Sequence, residues 1–191
     1  LPRNPGYDLS LGGCDLWELR VAVIFPKPDD PKIEPYIVPF GRMMLAYGRA
    51  FSAVIEIVAF AKGDEAAAVK FVKEAGIKDL PKRVEALVRS QLDAPALDKI
   101  SDALDRLKTI GQRRHSLVHG EWWFNDFDGG GLEVRHLQRG AIVYLDPLTP
   151  DTLEQWATEL VEVGNDLDDI GYMLSRKQRL TRSVCGTKQS K

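Results

Sequence analysis

The chain has 191 residues, of which 44% are hydrophobic and 28% are charged, and its formal net charge is -2 with a pI near 6.0. This length fits one domain with room for an appended segment, and it can bury a sizeable core without disulfides or metals. The slightly acidic balance excludes a protein that coats nucleic acid electrostatically, so any contact with nucleic acid has to be local.

The two cysteines, Cys14 and Cys185, lie near opposite ends of the chain and belong to no CxxC or Cys/His spacing. A disulfide scaffold and a zinc site are therefore not expected. A reducing, cytoplasmic setting is expected instead. No charged-then-apolar leader opens the sequence, and no run of about 18 apolar residues occurs. The sequence thus predicts no membrane partner.

Residues 1–38 are rich in proline, which predicts an extended N-terminal arm with one short strand at Leu19–Phe25. Apolar residues then recur at three- and four-residue steps from Phe40 until Gly63, as in an amphipathic helix. Two short helices are expected next, one over 64–76 and one from about Leu80 that carries Pro81 in its first turn.

A long helix is predicted from about Ala94 to Gly120, because an apolar stripe runs along it. The period then changes, and the alternation over about 121–147 predicts an antiparallel β meander of three strands. Thr149 and Pro150 are typical of a helix start, and a three-four apolar step follows. The expected fold is mainly α: a helical bundle over 39–176 with this β insertion, the arm, and a polar basic tail at 177–191.

One segment, GQRRHSLVHGEWW at 111–123, contains two of the chain's three histidines. Arg114 continues the apolar stripe of the long helix, whereas Arg113 is expected to face solvent. His115 and His119 are one turn apart and should stack on a common edge. An arginine on a core-facing line cannot lose its charge, so it needs an anionic partner.

Two kinds of partner are open for Arg114. It can pair with carboxylates of the last helix, where Asp166, Asp168 and Asp169 cluster, while the histidines stabilise the negative end of their helix. Alternatively it binds a phosphodiester, since guanidinium grips phosphate bidentately and steadies the charge on its oxygens. A histidine with an ordinary pKa of about 6.5 can exchange protons near neutrality, and an RNA 2′-hydroxyl can serve as nucleophile without a metal.

The run from Arg114 to Gly120, RHSLVHG, resembles the Arg-polar-x-x-x-His motif of the HEPN superfamily (higher eukaryotes and prokaryotes nucleotide-binding domains). A small residue commonly follows the histidine in that family, and the motif lies near the end of a long helix in a helical bundle. The resemblance covers roughly 40–176, and only the motif is specific. His115 stands where asparagine is commonest, which is a departure from the family pattern.

The resemblance implies a metal-independent endoribonuclease without cofactor, of the kind found in toxin–antitoxin, phage-defence or RNA-processing systems. Members commonly form homodimers whose motifs face each other across a cleft, and a partner antitoxin protein is possible. By resemblance, Arg114 binds and polarises the scissile phosphate of RNA, His119 is the general acid or base, and His115 assists. Other members are inactive, so a catalytically silent interaction or scaffold module is the alternative.

Three further residues or pairs belong to the candidate site. Arg113 is a candidate for substrate binding. Trp122 can stack on a base or, as its more ordinary role, anchor the meander to the bundle. The i, i+4 spacing of His115 and His119 would suit a metal, but no third ligand is evident, so no metal site is expected.

Overall fold

A computed structural model describes residues 31–125, 131–138, 141–144 and 148–186. Helices dominate these residues, which confirms the predicted mainly-α class. The elements in chain order are α1 (Glu34–Lys62), α2 (Glu65–Val88), α3 (Ala94–His119), β1 (Glu121–Asn125), β2 (Gly131–Gln138), β3 (Ala141–Tyr144) and α4 (Pro150–Gly186).

The first and last helices, α1 and α4, form the most extensive pair of the bundle. They run parallel, because Arg42 bonds Glu154 at 2.6 Å and, further along both helices, Arg49 bonds Asp168 at 2.9 Å. Between them lie fully buried aliphatic side chains, each of which contributes about 1.5–3 kcal/mol by leaving water. The largest of these on α1 and α4 are Met43, Ile57, Leu153, Leu160 and Leu167.

Helix α2 is two helical arms that meet at Gly76, whose φ of 60° and ψ of 162° are not helical. The guanidinium of Arg83 in the second arm lies 4.7 Å from the ring centre of Phe71 in the first. A continuous helix would separate these residues by about 18 Å, so the chain bends sharply at the glycine. The two predicted short helices are therefore present as arms, and the second begins at Ile77, slightly earlier than expected.

Helix α3 runs antiparallel to α4 and is joined to it by ion pairs. Lys99 contacts Asp166 and Asp169 at 3.0 and 2.9 Å. The predicted apolar stripe of α3 is buried against the other helices, with Ile100, Leu104 and Leu107 at most 1% exposed. The direction of α3 carries the Arg/His segment to the end of the bundle where α1 and α4 begin.

The three predicted strands form an antiparallel sheet in the order β1-β2-β3. Trp122 ties the sheet to the bundle, because its indole Nε1–H donates to the carbonyl of Leu117 at 2.7 Å and its ring meets Phe40 edge-on at 5.4 Å. The carbonyl belongs to the last turn of α3, where no further helical N–H can bond it. The sheet thus satisfies one acceptor at the helix end beside the Arg/His segment.

Two predicted boundaries differ from the structure. Helix α1 begins at Glu34, inside the predicted arm, because Pro35 occupies the first turn of the helix, where a missing N–H costs nothing. Helix α4 continues to Gly186 through the predicted tail, since no glycine or proline interrupts it after Gly171. The predicted strand at 19–25 lies outside the described residues.

The predicted helix ends are confirmed where the structure describes them. Gly63 ends α1 in the left-handed conformation, with φ of 73° and its N–H bonded to the Ala59 carbonyl at 2.7 Å. Thr149 caps α4, because its hydroxyl accepts from the Thr152 N–H at 3.1 Å. Gly120 follows α3 in an extended conformation, so no left-handed turn requires a glycine there.

By length and composition alone, α1 could cross a membrane. The core helix of a soluble protein has the same properties, and α1 packs along α4 with both Arg42 and Arg49 in ion pairs. Within the described part of the chain no other helix meets the same criteria.

Candidate functional site

The candidate site lies in the last two turns of α3, beside α1 and strand β1 of the sheet. Arg114 is half-buried, as its place on the apolar stripe predicts, while Arg113, His115 and His119 are exposed. Two arginines and two histidines therefore share one helix end, with Arg114 turned towards the bundle interior.

Arg114 has no carboxylate partner among the residues that the structure describes. Asp168 bonds Arg49 at 2.9 Å, and Asp166 and Asp169 both bond Lys99. Of the two kinds of partner that the sequence left open, the acidic cluster is therefore not the one that Arg114 has. The physical reason is position along the helix: the cluster bonds Lys99 and Arg49, and Lys99 is about four helical turns, or roughly 22 Å, before Arg114 on α3.

The nitrogen atoms of Arg114 differ in their exposure. Nε is buried and has no hydrogen-bond partner, and it is the single such side-chain atom in the described residues. The two terminal nitrogens also bond no described residue, and the residue as a whole is only half-buried. Leaving a buried donor unpaired costs about 1–3 kcal/mol, so the arrangement opposes stability.

Tyr47 of α1 provides the contact that Arg114 does have. The guanidinium carbon lies 5.4 Å from the centre of the Tyr47 ring, which is within cation–π range. Behind it, the Tyr47 ring stacks on Phe51 with centroids 5.9 Å apart and planes 21° from parallel. An aromatic face thus replaces the missing carboxylate.

Gly111 makes this contact possible, because it is one turn before Arg114 on the same face of α3. A Cβ at this position would lie 3.0 Å from Ile77 Cγ1 and 3.1 Å from both Cε2 and the hydroxyl oxygen of Tyr47. Any larger residue here would require Ile77 and Tyr47 to move by a few tenths of an ångström. A glycine on the apolar stripe was the one sequence signal of this close approach, but it did not say which residue approaches.

The pKa of Tyr47 is raised above its usual value of 10.0, because burial disfavours the phenolate more than the Arg114 charge favours it. The hydroxyl is accordingly neutral at physiological pH. Tyr47 can stack on a cation without itself becoming an anion that would neutralise it.

The histidine pair has the predicted geometry. The rings of His115 and His119 lie with centroids 4.6 Å apart and planes inclined by 53°. Both face the outside of the helix end, where a proton can reach them. Within the described residues no group of three or more metal-ligating side chains forms, so the pair is not completed to a metal centre there.

The other two predicted site residues have structural contacts. The Arg113 guanidinium lies 5.0 Å from the ring centre of Trp156 on α4, so this exposed arginine covers a buried indole rather than projecting freely. Trp122 anchors the sheet through its bond to Leu117 and its contact with Phe40. These contacts support the anchoring interpretation of Trp122, and base stacking stays a prediction.

Comparison of the chain with protein-family models, with curated protein sequences and with solved structures found no match. The function therefore has to be inferred from the candidate site itself. This site contains a permanently charged guanidinium without a described carboxylate partner, two histidines on the adjacent surface, and an aromatic ring against the guanidinium.

Proposed function

We propose that this protein is a metal-independent endoribonuclease of the HEPN type, in which Arg114 and His119 carry the chemistry and His115 assists. The observation that carries the proposal is that Arg114 is on the buried line of α3 without any described anionic partner. A charge kept there at a cost to stability is best explained by an anion that binds from outside. The adjacent histidine pair makes a phosphodiester the most suitable anion.

The chemistry follows from these groups. The terminal nitrogens of Arg114 bind the non-bridging phosphate oxygens and stabilise the charge of the transition state. A neutral histidine takes the proton of the 2′-hydroxyl as its oxygen attacks phosphorus, and a protonated histidine gives a proton to the departing 5′-oxygen. The products are a 2′,3′-cyclic phosphate and a 5′-hydroxyl, because the 2′-oxygen and not water is the nucleophile of the cleavage step.

The resemblance to the HEPN superfamily also implies an oligomeric state and a biological setting for the proposed nuclease. A cytoplasmic homodimer with the two motifs facing each other would place four histidines around one cleft. An antitoxin partner would be expected to cover this end of α3 if the protein serves in a toxin–antitoxin or phage-defence system. No cofactor is required by the chemistry above.

The second candidate is a catalytically silent interaction module of the same superfamily, and one observation favours it. An open groove between α1 and α4 exposes apolar side chains, with Leu45 78% exposed and Val161 43% exposed. Arg42 and Glu154 border the groove, so it offers a polar rim as well. Exposed apolar surface of this kind marks many protein–protein contacts.

The deciding experiment is RNA cleavage by the purified protein in excess EDTA, with product ends analysed for 2′,3′-cyclic phosphate. His119→Ala and Arg114→Ala are each expected to abolish cleavage while leaving the helical circular dichroism unchanged. Arg89→Ala is the matched control, because Arg89 is an exposed arginine at the end of α2, beside the opposite end of α3.

Each possible result has a distinct meaning. Loss of cleavage in both site variants but not in Arg89→Ala supports the nuclease. Equal residual cleavage in all four proteins indicates a contaminating nuclease. No cleavage of any RNA by the wild-type protein contradicts the nuclease and favours the interaction module.

A further inference from the structure

We propose that Tyr47 is a positioning residue for Arg114: its ring holds the guanidinium so that the terminal nitrogens point out of the bundle towards a bound phosphate. This inference rests on the proposed function for its catalytic consequence. Nothing in the motif itself includes Tyr47, which belongs to α1 and is 67 positions before Arg114 in the chain. The contact exists only in the folded protein.

Apart from the Tyr47 ring, no described polar or charged group restrains the Arg114 side chain. It makes no ion pair or hydrogen bond to a described residue, so nothing except packing fixes the end of a long side chain. An arginine normally has close to 2 kcal/mol of rotamer entropy to lose. The Tyr47 ring, 5.4 Å from the guanidinium carbon, is the one contact that would restrict it.

The contact with Tyr47 orients the guanidinium as well as holding it. The inner nitrogen, Nε, is buried without a hydrogen-bond partner, while Arg114 as a whole is only half-buried. In the proposed complex the terminal N–H groups, which are further from the helix than Nε, grip two phosphate oxygens. The Tyr47 ring against the guanidinium restricts its rotation and so keeps these groups available.

Tyr47 is itself held in place. It stacks on Phe51 one turn further along α1, and it lies so close to α3 that a Cβ at Gly111 would be 3.1 Å from its ring and its hydroxyl oxygen. Its neighbours on the buried side of α1, Met43 and Ala50, have no exposed surface. A well-fixed ring can serve as a reference point for a flexible arginine.

The ring of Tyr47, and not its hydroxyl, makes the contact with Arg114. The Tyr47 hydroxyl makes no hydrogen bond to a described residue, and the Arg114 contact is with the ring. Phenylalanine at this position would keep the contact, whereas an aliphatic residue would remove it. The pair Tyr47→Phe and Tyr47→Leu therefore tests positioning by the aromatic face.

The experiment measures single-turnover RNA cleavage for the wild type, Tyr47→Phe and Tyr47→Leu, with the exposed tyrosine variant Tyr172→Leu as control. Because small misplacements of a catalytic group lower rates by up to about 100-fold, Tyr47→Leu should lose about 10- to 100-fold in the single-turnover rate constant at saturating protein, with little change in the protein concentration that gives half of the maximal rate. Tyr47→Phe should stay within about twofold of the wild type. Equal loss in both Tyr47 variants, or no loss in either, would overturn the proposal.

A second readout does not depend on cleavage. In a ¹⁵N-labelled sample, the Nε–H signal of Arg114 should carry a ring-current shift from Tyr47, and Arg114→Lys identifies the signal by its disappearance. The shift should persist in Tyr47→Phe and vanish in Tyr47→Leu. If the wild type cuts no RNA but the shift behaves this way, the nuclease proposal fails and the positioning contact stands. A shift unchanged in Tyr47→Leu overturns the positioning contact itself.

Folding of the variants is checked by circular dichroism before either readout. If Tyr47→Leu does not fold, Tyr47→Met replaces it, because the flexible thioether fills an irregular gap without presenting an aromatic face. The same losses of rate and of the Nε–H shift are then expected of Tyr47→Met. Retention of both would overturn the proposal.

Discussion

The two ends of α3 differ in whether their cationic side chains are paired with carboxylates. In the first two thirds of the helix, Lys99 contacts two aspartates and Arg106 contacts Glu159 and Glu162 at 3.1 and 2.8 Å. In the last third, Arg114 meets an aromatic ring and no described carboxylate. The same helix, against the same neighbours, thus gives Lys99 and Arg106 two carboxylate partners each and gives the similarly half-buried Arg114 none among the described residues.

The ion pairs of Lys99 and Arg106 show that the bundle contains carboxylates able to pair with cations of α3. Four acids of α4 contact cations of α3: Glu159, Glu162, Asp166 and Asp169. Lys99 and Arg106 point to that side, whereas Arg114 lies against Tyr47 of α1. The early part of α3 is therefore organised for the α3–α4 contact, and the late part keeps a cation without a described carboxylate partner, which the proposed function assigns to a bound phosphate.

The strongest test of this comparison replaces one cation in each part. Arg114→Met should lower the rate of RNA cleavage by about 100- to 1,000-fold, as loss of a charge-stabilising donor does. It should leave the free energy of unfolding unchanged or raise it by about 1 kcal/mol, because a buried unpaired N–H is removed. Arg106→Met should do the reverse: unaltered cleavage, and a free energy of unfolding lower by about 1 kcal/mol.

Urea denaturation and cleavage rates on the same samples give both quantities. If Arg114→Met destabilises the protein as much as Arg106→Met does, Arg114 has a structural partner after all and the contrast between the two parts of α3 disappears.

A smaller effect is expected at the glycine that admits Tyr47. In Gly111→Ala the new methyl group would lie about 3.0–3.1 Å from Ile77 and Tyr47, so both must shift. Overpacking of this kind costs about 1–3 kcal/mol, which exceeds the gain of roughly 1 kcal/mol from alanine's helix propensity. Calorimetry should show a lower melting temperature, accompanied by slower cleavage because Tyr47 is displaced.

Gly48→Ala is the matched control, since nothing lies within 4 Å of a Cβ at that helical position. It should raise the free energy of unfolding by about 0.5–1 kcal/mol. Equal melting temperatures for Gly111→Ala and Gly48→Ala would mean that Tyr47 does not lie against α3.

The smallest effect is on pH dependence. Because burial raises the pKa of Tyr47 in the folded protein, the folded state holds the phenol proton more tightly than the unfolded state. This stabilisation is complete below the unfolded pKa of 10.0 and is lost as pH rises through the higher folded value. Relative to Tyr47→Phe, the wild type should therefore lose stability above about pH 10 and show no difference in slope at pH 7–9. Urea denaturation across pH 8–11 measures this, and parallel curves would contradict it.

Much of the fold follows from local sequence patterns. The apolar steps of α1, α3 and α4 predict three long helices, and the helix breaks at Gly63 and Gly76 follow from the glycines. Alternation predicts the sheet because side chains on strands repeat every two residues. The start of α1 at Glu34 could not be predicted, because the prolines of the N-terminal segment indicate irregular structure. Pro35, however, lies in the first turn of the helix, where proline is tolerated.

The candidate site was only partly predictable. Helical periodicity places Arg114 on the buried line and stacks the two histidines, since both facts depend on one helix. The partner of Arg114 depends on how α1 and α3 cross, and no local pattern carries that information. The acidic cluster at 166–169 was the obvious partner by charge, but its side chains face Lys99 and Arg49 instead.

The parallel pairing of α1 with α4 has a consequence for synthesis on the ribosome. Helix α1, which has the apolar composition of a membrane span, finds its main neighbour only after the chain has grown from Lys62 to beyond Pro150. At about 5–20 residues per second, the side of α1 that faces α4 stays uncovered for roughly 5–20 s. Closing so long a loop also slows folding, because the entropy of loop closure is lost before the distant contacts stabilise the chain. During that interval this side of α1 exposes apolar residues that are buried in the finished fold.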